Sequence, residues 1–321
     1  MKIVGFLTNK ITLRGTEIAM YDYADYNETY LGNKSIIFTR SYDSVAHESD
    51  TDIHAYEKFK DRFQVEYYEQ RDDIDDMVSR FAITHLYIIK YGLNDGIISS
   101  KCKNFVHCVF DTTQPHGDIY ATVSAAVNTR HNTSVPVLPH LIRVDKTDEN
   151  LRGILNIPEG AIVFGRYGGA DTFDIPFVKE CIAAMLNEGQ NRLVYFLFMN
   201  TNMFYEHPNI VYLPGTTDGM MKRKFINTCD ALLHARWMGE TFGLTCGEFA
   251  ICKKPVITYN HSLDNNHLDI LRDKAVVYSD YDSLYKILTE FTVGKYDMEG
   301  NGYLEYDYRY VMDIFNDLFL K

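Results

Sequence analysis

Short apolar runs alternate along this chain with longer stretches in which apolar positions recur every three or four residues. The first pattern predicts buried strands and the second amphipathic helices. In the first half, Ile3–Leu7, Ser35–Thr39, Gln64–Tyr67, His85–Ile89 and Asn104–Phe110 read as strands. Helices are predicted at Thr16–Tyr26, Asp52–Asp61, Asp72–Phe81 and Asp118–Asn128, the last following a Pro-His-Gly turn. Strands alternating with helices build a parallel sheet covered on both faces.

The alternation breaks at Asn132–Pro139, which carries two prolines, and at the charged run Asp145–Asn150. A second series follows, with strands at Ala161–Gly165, Arg192–Phe198, Ile210–Leu213, Ala231–His234, Pro255–Thr258 and Ala275–Tyr278. Helices fall between them, notably at Ile175–Leu186 and Gly219–Asn227. The break divides the chain into residues 1–145 and 146–321. Tyr306–Leu320 reads as a last helix with a packing stripe of Tyr310, Val311, Ile314, Phe315 and Leu318, expected to cross back to the first domain. The predicted fold is α/β: two doubly wound, Rossmann-like domains facing a cleft, where ligands bind at the carboxyl ends of the strands.

The length of 321 residues suits two domains rather than one core. A net charge of −12 argues against nucleic acid as a partner, because phosphate backbones need basic surface. No segment approaches the apolar length of a membrane span, and the apolar run in MKIVGFLTNK is too short for a secretory signal, so a cytoplasmic location is expected. The six cysteines form no CxxC pair and read as reduced thiols in apolar surroundings. Asn27, Asn33, Asn132 and Asn260 lie in glycosylation-type tripeptides, read as chance in such a location.

Asp230–Asn260 carries the chemistry: a strand, a turn with Gly239-Glu240, the run Phe242-Gly243-Leu244, a helix holding Glu248, then Lys254-Pro255 and another strand. A helix N-terminus offers unpaired N–H groups and partial positive charge, suited to a diphosphate. Gly243 lets the backbone approach a ligand closely. Glu248, about one turn into the helix, can accept hydrogen bonds from both hydroxyls of a ribose. Glu240, before the helix, can meet sugar hydroxyls beyond the phosphates. Two solvated glutamates at a helix start are the plainer reading of the spacing alone.

This stretch resembles the E-x7-E region of glycosyltransferase family four, the large retaining family with the GT-B fold. The resemblance rests on the E-x-F-G-L run, the second glutamate on a helix and the K-P-V-I strand. It implies that Glu248 binds the donor ribose and that Glu240 contacts and orients the donor sugar. It further implies that the amides of Phe242, Gly243 and Leu244 hold sugar and diphosphate. Val163–Gly169, VFGRYGG, is similar to the family's opening strand of the second domain, which implies that Arg166 pairs with the diphosphate. The family has a lysine five residues later; here that position is Asp171. Lys179, Lys222 or the Gly168-Gly169 amides are the candidates to replace it. Arg14-Gly15-Thr16-Glu17, after the first strand, resembles the family's glycine-containing loop. That likeness puts Gly15 at the donor phosphates and Arg14 on the acceptor side.

The family often has a histidine after the strand Asn104–Phe110 that contacts the donor sugar. His116, in the loop, fits that role better than His107, which lies within the strand and reads as a core residue. Lys90, at the end of the His85–Ile89 strand, is a further acceptor-side candidate. Asp50-Thr51-Asp52 and Asp280-Tyr281-Asp282 have D-x-D form but read as helix starts, as does the acidic run Asp72–Asp76. The resulting expectation is a retaining, metal-independent glycosyltransferase without cofactor. It would move a sugar from a nucleotide diphosphate donor to a glycan or other hydroxyl acceptor. Two other readings stand beside it: an epimerase acting on nucleotide sugars, and a degenerate protein that only binds nucleotide or glycan.

Overall fold

The computed structural model describes residues 1–48, 50–188 and 193–321. These form two units, one of residues 1–143 with 306–321 and one of residues 144–305. No helix among the described residues is long and apolar enough to cross a membrane.

The first unit opens with β1 (Ile3–Leu7), α1 (Gly15–Thr29), β2 (Lys34–Thr39), the short α2 (Tyr42–Val45), α3 (Ile53–Arg62) and β3 (Gln64–Tyr67). It continues with α4 (Arg71–Arg80), β4 (His85–Lys90), β5 (Lys103–Cys108), β6 (Ile119–Thr122) and α5 (Ala125–His131). The six strands run parallel in the order β3-β2-β1-β4-β5-β6. The order reverses between β1 and β4, and such switch points open a crevice at the strands' carboxyl ends. Alternate side chains serve opposite faces. Leu86 and Ile88 join Leu7, Ile36, Phe38 and Val106 on one side.

The second unit holds β7 (Ile162–Tyr167), α6 (Pro176–Asn187), β8 (Val194–Met199), β9 (Ile210–Leu213), α7 (Gly219–Thr228) and β10 (Ala231–His234). Next come β11 (Gly239–Glu240), α8 (Leu244–Ile251), β12 (Val256–Tyr259), β13 (Asp264–Asn265), α9 (Asn266–Leu271), β14 (Ala275–Tyr278) and α10 (Tyr281–Glu290). Its main sheet is β14-β12-β10-β7-β8-β9, the same winding as the first once the paired two-residue strands β11 and β13 are set aside. Phe164, Val178, Ile182, Phe196, Leu233 and Ile257 belong to its core. The last helix, α11 (Tyr308–Phe315), continues into a π-helical turn over Asn316–Leu320 and belongs to the first unit.

Most predicted strands appear within a residue or two of their expected limits, Val194–Met199 among them; Arg192 of that prediction lies outside the described residues. The helix expected over Asp118–Asn128 does not form. Ile119–Thr122 pairs with Phe105–Cys108 as the sheet's sixth strand, and a shorter helix starts after Ser124. The open edge of β5 and a segment of β-branched and aromatic residues outweigh a weak helical pattern. The last helix packs through Val311, Met312, Phe315, Phe319 and Leu320, while Tyr310 is exposed. The π turn widens the helix and shifts the inward face from the expected stripe.

The acidic pairs serve as helix caps. Asp52 accepts from the Ala55 amide at the start of α3, and Asp280 from the Ser283 amide at the start of α10. Asp73 closes the capping box of α4. Asp50 accepts from Arg14. All six cysteines are free thiols.

Candidate active site

In the second unit, β10 and β12 lie side by side in parallel register, so His234 at the end of one faces Thr258 of the other. The chain then turns through Arg236–Gly239, closed by a bond from the Gly239 amide to the Arg236 carbonyl. Gly239 has φ +74°, and a β-carbon there would lie 1.9 Å from the Asp264 carbonyl oxygen, so the pairing of β11 with β13 requires glycine. This turn delivers Glu240, whose carboxylate meets Arg236 Nη1 at 3.2 Å and His234 Nε2 at 3.2 Å. Burial alone would raise its pKa; Arg236 and His234 reverse that and hold the carboxyl down at about 2. Glu240 in turn keeps the Arg236 guanidinium protonated beyond its ordinary range.

Gly243 caps α8 in the left-handed conformation, φ +86°. Phe242 is buried before it, and its carbonyl accepts from Tyr303 Oη at 2.6 Å. Leu244 begins the helix, which is buried along most of its length and carries one carboxylate, Glu248, inside the fold. Buried polar groups need partners. Glu248 accepts a hydrogen bond from Tyr167 Oη, presented by the end of β7. Lys222 of α7 lies over the Tyr167 ring, 5.9 Å from its centre, whereas Lys179 lies over Phe204.

Arg166, next to Tyr167, is buried with its terminal nitrogens turned inward. Nη1 donates to the Asn200 carbonyl and Thr201 Oγ1, and Nη2 to the Gly169 carbonyl and Thr172 Oγ1. Burial lowers its pKa to about 10 while Glu240 and Asp171 pull the other way. Arg166 thus ties down the Gly168–Thr172 turn. Asp171 adds negative potential at Arg166 and Arg236, so the position where a lysine was expected balances two arginines instead.

In the first unit, a cavity of about 260 Å³ opens at the ends of β1 and β4 and the start of α1. Leu7, Thr8, Arg14, Thr16, Glu17 and Lys90 are in its wall. Gly15 opens α1 beside them, and Arg14 is bound to Asp50 through Nε and Nη2. Lys90 Nζ reaches Asp95 and, at 3.3 Å, Nε2 of His116, whose Nδ1 donates to the Gln114 carbonyl at 2.7 Å. Lys90 and His116 are therefore neighbours. His107 is a core residue: its Nδ1 meets Tyr87 Oη at 2.7 Å, and burial drops its pKa to about 3. Glu17 is buried among the hydroxyls of Thr8, Thr12 and Thr16; burial raises its pKa against their bonds.

Sequence reasoning missed Arg236, His234, His267 and Tyr167. Arg236, four residues before Glu240, was legible as a charge pair. The others depend on strand register, which sequence spacing does not carry.

Two Rossmann-like units in one chain, with identical strand order, define the GT-B fold. Solved structures share it across nearly the whole chain. HepE of Anabaena in complex with UDP-glucose is similar with a TM-score of 0.72 and 13% identity, over 99% of this chain and 98% of that one. A glycosyltransferase of Rickettsia africae is similar with a TM-score of 0.71 and 12% identity, over the same shares. An α,α-trehalose-phosphate synthase (UDP-forming) of Burkholderia xenovorans is similar with a TM-score of 0.64 and 10% identity, over 99% of this chain and all of that one. No protein-family model and no curated protein matches the sequence.

Proposed function

We propose that the protein is a retaining, metal-independent glycosyltransferase using a nucleotide diphosphate sugar. The observation that carries this reading is the strand–turn–helix from β10 to α8. It sets two carboxylates of different character on either side of a glycine-capped helix start. The fold likeness to HepE, solved with UDP-glucose, supports it. Held at about 2, the Glu240 carboxyl is ionised at any working pH. It serves as acceptor for sugar hydroxyls and as a fixed negative charge beside a sugar that gains positive charge. It does not serve as a proton donor. The bond from the sugar's anomeric carbon to the phosphate oxygen breaks while the acceptor oxygen bonds to the same carbon from the same face. The acceptor proton passes to the departing diphosphate. The Phe242–Leu244 amides and the α8 N-terminus stabilise that diphosphate, and Glu248, oriented by Tyr167, takes the ribose. Arg166 acts on the diphosphate through the turn it fastens. In this reading Gly15 is assigned to the donor phosphates, Arg14 and Lys90 to the acceptor and His116 to the donor sugar.

Calorimetry on two variants tests the assignment. Glu248→Ala weakens binding of the free nucleoside diphosphate by about 1.5–3 kcal/mol, the range for a hydrogen bond to a charged group. Glu240→Ala leaves that ligand's affinity unchanged and lowers kcat with the full sugar donor. If neither variant alters binding or rate, the reading is wrong.

A further inference from the structure

Behind Glu240 runs a buried chain of hydrogen bonds. His234 Nε2 lies 3.2 Å from Glu240 Oε1, and His234 Nδ1 lies 2.9 Å from Thr258 Oγ1. Thr258 Oγ1 lies 2.9 Å from Nε2 of His267, on α9. His234, Thr258 and His267 are all buried, and His267 Nδ1 has no hydrogen-bond partner.

The direction of each bond follows from the acceptor at the end. An ionised carboxylate can only accept, so His234 Nε2 carries the proton. On the other side of the ring, His234 Nδ1 accepts from the Thr258 hydroxyl. The Thr258 oxygen in turn accepts from Nε2–H of His267. This leaves His267 Nδ1 as a bare lone pair, which is cheaper to bury without a partner than an N–H would be. Every donor in the chain thus points toward Glu240. Burial, with His234 and Arg236 nearby, drops the His267 pKa to about 3, against the pull of Glu240, so this end of the chain stays neutral. The β-carbon of His267 is also 3.0 Å from where a side chain on Gly243 would begin, which ties the chain to the α8 cap.

We propose that His234 is a positioning residue for Glu240, its Nε2–H aimed at the carboxylate and its Nδ1 held by Thr258, which His267 orients in turn. The proposal rests on the role given to Glu240 above. It gives the site a buried scaffold that aims the carboxylate while Arg236 supplies the opposing charge.

The test has two readouts. Nitrogen-15 NMR of the histidine-labelled protein should find an N–H on Nε2 of both His234 and His267 and a bare nitrogen at Nδ1 of both. In Thr258→Val, which removes the hydroxyl but keeps the shape, the proton of His234 should stay on Nε2, where Glu240 accepts it, and the Nδ1 resonance should move because its donor is lost. In kinetics, His234→Ala should lower kcat with the sugar donor by up to about 100-fold, the cost of a misplaced reacting group. Its affinity for the free nucleoside diphosphate should stay unchanged. His234→Gln, whose amide N–H can stand where Nε2–H stood, should recover much of the loss. A wild-type His234 protonated at Nδ1, or a His234→Ala variant with native kcat, overturns the proposal. If the wild-type protein transfers no sugar, the function proposed above fails, and the tautomers alone still decide whether the chain is set as described.

Discussion

Replacing Glu240 by glutamine removes one charge and keeps the shape, so its cost is readable from the carboxyl's surroundings. The side chain stays within reach of His234 Nε2–H, which an amide oxygen can still accept. Arg236 loses its closest anion. The carboxyl sits at about 2 against an ordinary 4.5, and at about 1.4 kcal/mol for each tenfold change that gap corresponds to about 3 kcal/mol favouring the ionised form. About a quarter of the side chain meets water, which screens the pair and trims the expectation to about 2–3 kcal/mol. The sign follows from the protons. The unfolded chain binds the proton more tightly, so the ionised form's stabilisation is complete above pH 4.5 and is lost as pH falls toward 2. The stability gap between wild type and Glu240→Gln should therefore be widest at pH 7 and should close across that window, other carboxyls cancelling in the comparison. The single tryptophan, Trp237, lies three residues before Glu240, so its fluorescence during urea unfolding reports the second unit alone. A gap that does not change between pH 7 and pH 3, or a glutamine variant more stable than wild type at pH 7, would refute the argument that Arg236 and His234 stabilise this carboxylate.

Three further outcomes follow from the same geometry. Gly243→Ala should destabilise the second unit by at least about 1–2 kcal/mol for its left-handed backbone, with added crowding from Tyr303 Oη at 2.9 Å; the same fluorescence measures it. Arg166→Ala should destabilise this unit by about 2–4 kcal/mol, because its inward bonds to Asn200, Thr201, Gly169 and Thr172 are lost. A variant of normal stability but weak diphosphate affinity would mean that Arg166 faces the ligand instead. Donor hydrolysis or transfer should persist in EDTA; loss restored by Mn²⁺ would reveal a metal requirement.

What could be read from sequence depended on how local its cause was. Strands such as Ile3–Leu7 and Ala231–His234 declare themselves through apolar runs, and the caps Asp52 and Asp280 through their place before a helix. Ile119–Thr122 did not, because the partner edge that makes it a strand comes from residues 105–108. The site shows the same division. Glu240, Gly243 and Glu248 share one contiguous motif and were legible. His234, Thr258 and His267 come together only because β10 and β12 run in register and α9 returns beside them. Arg166 stands out in the sequence through its place in the strand, but its inward bonds to the loop after β8 do not, since those partners lie more than 30 residues away.

The ownership of residues 306–321 by the first unit has a consequence for how the protein is made. Phe315 stacks on Phe6 and Tyr23 and packs against Tyr87 and Phe105, so the first unit's aromatic core is unfinished without it. On the ribosome, all of residues 144–305 emerge before that plug does. Domains fold largely as they leave the ribosome, so here the order of birth and the order of completion are reversed. The second unit can close first, while the earlier-born sheet waits with its apolar face open, and a stalled or clipped product ending before Tyr308 would carry a finished second unit beside an unsealed first one.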